Sequence, residues 1–135
     1  MNNYGKIAKE VTKRLKNKEN IDIYKTWEEV AKEYFNSESL IKKGCPKNSY
    51  IGLCEEGIIK GVKKGKYRKT KNSKNKDYAL KAIKILKNNS LLENISPLEL
   101  WKKVTIDKDK KISHNQQMNV VLELWHCDFI NKSQG

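Results

Sequence analysis

Apolar residues recur at three- and four-residue spacing through most of this chain, the pattern of amphipathic helices rather than of strands. Tyr4, Ile7, Ala8, Val11 and Leu15 predict a first helix over about 4–18, with Lys6, Lys9, Lys13 and Lys16 facing water. Polar residues 17–22 interrupt it. Thr26 followed by Glu29 has the form of a capping box, in which each side chain satisfies an open N–H of the other's turn, so a second helix is expected to start there. Its stripe is Trp27, Val30, Ala31, Tyr34 and Phe35. Ser37 caps a short turn through Ile41 that closes at Gly44. Pro46 suits the first position of a fourth helix because it has no N–H to leave unpaired. Tyr50, Ile51, Leu53, Cys54 and Ile58 are that helix's apolar positions, and Gly57 ends or bends it.

Beyond Ile58 the glycines at 61 and 65 and the run Lys66-Tyr67-Arg68 predict a loop or small hairpin with basic side chains, comparable to the wing of a winged helix. Asp77 is expected to cap a fifth helix with Tyr78, Ala79, Ala82, Ile83 and Leu86 on one face and Lys76, Lys84 and Lys87 largely off it. Ser96-Pro97-Leu98-Glu99 is a second capping box with proline at the first position. It places Leu98, Trp101 and Val104 in the core. A last helix over about 115–127 buries Met118, Val121, Leu122 and Trp125. The sum is an all-α chain, one compact domain over 1–135, of five to seven helices. The pair meeting near Gly44 resembles a helix-turn-helix. The match is partial, because the first helix is short and Lys43 stands where an apolar residue usually lies.

Charge sharpens this picture. Lys60, Lys63, Lys64, Lys66, Arg68, Lys69, Lys71, Lys74 and Lys76 lie between Glu56 and Asp77 with no carboxylate among them, so this interval holds +9 of the formal net charge of +13. Such a cluster is an electrostatic footprint for a polyanion. Elsewhere Lys alternates with Glu. Arginine occurs only at 14 and 68, and since bidentate reading of guanine favours Arg while Lys meets phosphates as a point charge, little sequence discrimination is expected. The residues expected to hold a polyanion are Lys47, Asn48 and Ser49 at the start of the fourth helix, with Lys60, Lys63, Lys64, Lys66, Tyr67, Arg68, Lys69 and Lys71 after it. Tyr67 and Tyr50 offer rings for stacking on bases.

Catalytic and metal chemistry find little purchase. Cys45 before a helix start is a candidate reactive thiol, but the bases available to it are His114 and His126, which sequence does not place beside it. Cys45 and Cys54 are nine apart, and His126 and Cys127 diverge on a helix, so neither pair has zinc-ligand spacing. Gly61 to Lys66 lacks the length and the Ser/Thr of a phosphate loop. Neither a catalytic residue, a metal nor a cofactor is assigned. His114-Asn115-Gln116-Gln117 is a polar cluster at a helix start. The N-terminus lacks the apolar core of a signal peptide, and no apolar run has membrane-spanning length. A cytoplasmic chain with reduced thiols and no membrane partner is expected.

The segments Gly44-Cys45-Pro46-Lys47, Gly52-Leu53-Cys54-Glu55-Glu56-Gly57 and Lys74-Asn75-Lys76-Asp77-Tyr78-Ala79, with His114-Asn115 and the stretch from Met118 to Trp125, resemble an uncharacterised family of small bacterial proteins of unknown function. The resemblance spans nearly the whole chain. It implies no catalytic residues and suggests that Gly-Cys-Pro-Lys is more than chance. The leading expectation is a non-catalytic protein that binds nucleic acid or another polyanion. The alternatives are a module that pairs with an acidic protein or with itself, and an enzyme using Cys45.

Overall fold

The computed structural model describes residues 2–69 and 74–133. Among these the chain forms α-helices and no strand, in the order α1 Asn3–Leu15, α2 Ile23–Tyr34, α3 Glu38–Ile41, α4 Gly44–Glu55, α5 Lys74–Asn88, α6 Pro97–Val104 and α7 Gln117–His126, with a 3-10 turn at Ser90–Leu92.

The outer helices follow their amphipathic stripes. Tyr4, Ile7, Ala8, Val11 and Leu15 of α1 are buried, and Asn2 caps the helix by accepting from the Tyr4 N–H at 2.8 Å. α2 begins earlier than its capping-box motif implies. Asp22 is the cap, accepting from the Lys25 N–H at 3.1 Å, while the Thr26 hydroxyl donates to the Asp22 carbonyl. Ser96 caps α6 as expected, accepting from the Glu99 N–H and donating its hydroxyl to the Glu99 carboxylate. α6 nonetheless buries Leu100 with Trp101 and Val104 and leaves Leu98 54% exposed. On its buried side the Trp101 indole N–H donates to the Ile112 carbonyl at 2.7 Å.

Two helices are enclosed. α4 packs against α1, α5 and α7, and α7 against α1, α4, α5 and α6. Tyr50, Ile51, Leu53 and Cys54 of α4, and Met118, Val120, Val121 and Leu124 of α7, are all fully buried. Tyr50 stacks at 5.5 Å on Trp27, and its hydroxyl lies 2.7 Å from that of Thr12. This corrects two expectations. A helix-turn-helix needs an exposed second helix, but α3 is one turn long and α4 is central. Tyr50 is core and offers no ring to a base.

Among the described residues the basic segment is a loop and not a hairpin. Its only ladder contact among the described residues is the bridge between Ile59 and Ile130, with Lys60 N–H on the Phe129 carbonyl at 2.8 Å and Asn131 N–H on the Ile58 carbonyl at 2.7 Å. Ile58, Ile59 and Val62 are buried, so the start of the loop is sewn to the end of the chain.

Candidate functional site

α4 ends in a Schellman motif. Gly57 takes φ 71°, its N–H bonds to the Cys54 carbonyl, and the Ile58 N–H bonds to that of Leu53. The chain then turns back along α4, and what holds it there is Glu55. Its carboxylate is 4% exposed and accepts from the backbone N–H groups of Tyr67 and Arg68 at 2.8 and 2.7 Å, from Arg68 Nε at 3.0 Å and from Lys76 Nζ at 3.1 Å. Burial alone would raise the Glu55 pKa. The Arg68 N–H, the Lys76 ammonium and the Tyr67 N–H outweigh it and leave the group below its ordinary value. Glu56 joins it on Lys76 at 2.9 Å. The two adjacent glutamates, which side-by-side placement on a helix would send apart, therefore converge on one ammonium.

The sequence-predicted cations divide accordingly. Arg68 and Lys76 face Glu55, and Lys60 lies 3.1 Å from Asp128. Lys63, Lys64, Lys66 and Lys69 make no ion pair among the described residues. Lys71 lies outside those residues. Ser49 is corrected, being fully buried, with its hydroxyl directed to the carbonyls of Cys45 at 2.9 Å and Asn75 at 3.4 Å. Tyr67 is half-buried: its hydroxyl donates to the Lys63 carbonyl, and its ring lies over Gly65. Asn48 is half-buried near Gly44.

Lys47 and Lys69 meet at one ring. Their ammonium groups lie 5.4 and 4.7 Å from the centre of Tyr24, whose hydroxyl accepts from the Lys69 N–H at 2.9 Å. Burial lowers the Lys47 pKa, Glu28 opposes that, and Lys42 and Lys69 add to it. From Lys69 the chain runs to a recess of about 270 Å³ lined by Lys64, Lys66 and Arg68 with the two glutamates and Lys76. Lys64 and Glu56 also line an adjoining groove of about 450 Å³, whose other side is Lys84, Lys87, Leu80 and Ile83 of α5. A track of cations thus runs from the start of α4, along the loop and onto α5. Lys84 and Lys87 belong to it although they lie outside the acid-free interval. Their place off the apolar face of α5 was the available signal.

The polar motifs meet elsewhere. Gln117 is buried and donates to Asn75 at 3.0 Å, Ser49 also reaches Asn75, and Asn2 donates to Gln116 at 2.6 Å. His114 Nε2 accepts from the Met118 N–H at 3.1 Å, and its ring lies 5.3 Å from Trp101. Burial first, and Lys43 second, lower its pKa. That nitrogen caps α7, so it is not presented to Cys45 as a base. Among the described residues, groups of three or more His, Cys, Asp or Glu able to hold a metal ion are absent, and no helix is long and apolar enough to cross a membrane.

A family model described as a family of unknown function (DUF6979) matches residues 1–131. Neither a curated protein nor a solved structure matches the chain.

Proposed function

This chain belongs to that family of unknown function, and from its surface we propose that it is a cytoplasmic, non-catalytic protein that binds nucleic acid with little sequence specificity. The observation that carries the reading is the track: Lys47 and Lys69 on one ring, Lys64 and Lys66 along one recess, and Lys64, Lys84 and Lys87 around one groove. A linear polyanion matches a line of cations better than a small anion does, since each phosphate along it meets a further charge. Lysine supplies nearly all the line, while Arg68 is held by Glu55. Phosphate contact without reading of base edges follows.

The test is affinity for duplex and single-stranded DNA and RNA as a function of salt. Replacing Lys63, Lys64 and Lys66 by Glu weakens binding across all sequences, whereas Lys102→Glu with Lys103→Glu on α6 leaves it near wild type. An absence of binding at low salt, or indifference to the loop reversal, sinks the reading.

A second reading, self-association, draws on the exposed apolar side chains Leu91 (90%), Ile106 (81%) and Leu98 (54%). Sedimentation over a concentration series decides it, a constant monomer mass excluding it.

A further inference from the structure

Of the three tryptophans, Trp27 and Trp101 are sealed in the core, while Trp125 on α7 keeps part of its ring at the surface. It borders an open cavity of about 310 Å³ lined also by Lys87, Asn89, Ser90, Glu93 and Lys132. Resting on the polyanion reading above, we infer that this cavity takes a nucleobase of a single strand whose phosphates follow the lysine track.

Three observations carry this. First, Lys87 lines both this cavity and the groove it shares with Lys64 and Lys84, so the two openings meet at one cation. Second, the Trp125 face already holds a positive charge, with Lys132 Nζ 4.4 Å from the ring centre. A base stacking there displaces that ammonium, which then meets the adjoining phosphate. Third, the wall formed by residues 89–93 is polar, and its backbone is tied in place. The His126 ring nitrogen and the Glu93 carbonyl are 2.7 Å apart, and Asn89 Oδ1 accepts from the Leu91 N–H at 3.0 Å. The Ser90 hydroxyl and the Glu93 carboxylate on that wall suit the donors and acceptors of a base edge. A duplex keeps its bases stacked inside, so only an unpaired base fills the cavity.

The experiment uses the full chain at low salt and three probes: an oligothymidylate of about twelve nucleotides, within the span that single-strand binders cover, an abasic strand of equal length, and thymidine monophosphate. Oligothymidylate is expected to bind about tenfold or more tighter than the abasic strand and to quench tryptophan emission. Trp125→Leu loses that advantage and keeps the abasic affinity, and Trp125→Phe retains part of it. Equal affinity of the wild type for the two strands, an advantage that survives in Trp125→Leu, or a monophosphate bound as tightly as the strand overturns the inference. If the wild type binds the abasic and thymidylate strands equally well, only this inference falls. If it binds neither, and no duplex or RNA either, the proposed function falls with it.

Discussion

Four donors surround the carboxylate of Glu55: the backbone N–H groups of Tyr67 and Arg68, the Arg68 side chain and the Lys76 ammonium. An amide in its place turns an NH2 toward groups that can only donate. Glu55→Gln is therefore expected to lower stability by about 1–3 kcal/mol and to speed tryptic cleavage at Lys63, Lys64 and Lys66, measured by thermal melting and limited proteolysis. Unchanged cleavage would mean that something else anchors the loop. Acid acts on the same group. Its folded pKa is below the ordinary 4.5, so on acidification the unfolded chain takes up the proton first, and the stability Glu55 supplies above about pH 4.5 is lost below it. His114 has the same sign at higher pH, because its folded pKa lies below 6.5 and its loss begins as pH falls through that value. His114→Gln, which keeps an acceptor for Met118, should flatten the stability profile just below pH 6.5 and leave the step near 4.5. Neither role was legible in sequence. Glu55 carried no role of its own there, and His114 was one of two unplaced bases.

α4 decides how the elements sit. Against its Gly52, a Cβ would come within 2.5 Å of the Lys76 Cβ on α5, so glycine here provides closeness. Gly52→Ala is expected to cost about 1–3 kcal/mol as the two helices part, and to loosen Lys76 from Glu55 and Glu56. A melting temperature equal to wild type would show that the contact yields. At the other end of α4, Gly57→Ala forces a Cβ into the left-handed region at φ 71° and should cost about 1–2 kcal/mol, close to the cost of about 1 kcal/mol expected for Ser96→Ala at the α6 cap. Equilibrium denaturation compares the two. Both of these were readable beforehand, because a glycine after an apolar run and a Ser-Pro-x-Glu sequence act through their own backbone neighbours. The start of α2 was not, since the Thr26 motif pointed too late in the chain, and Asp22 caps the helix with Ile23 buried behind it.

Over the whole molecule, the effective charge is set by which lysines meet carboxylates. If Lys64 and Lys84 each touch one phosphate, replacing both by Gln flattens the log–log salt dependence of single-strand binding by about 1.4, at about 0.7 per phosphate. Lys60→Gln, which removes a cation already beside Asp128, leaves the slope close to wild type. Equal effects of the two changes would show that pairing does not govern the surface. The chain by itself determined the helical class, most helix faces and the excess of positive charge, because these depend on periodicity, caps and composition over a few adjacent residues. Tertiary structure alone decided that α4 is enclosed, that Ser49 and Tyr50 are core, that Glu55 holds the loop, and that α5 completes the lysine track. Those are contacts between residues far apart in sequence, and their existence depends on how the helices pack.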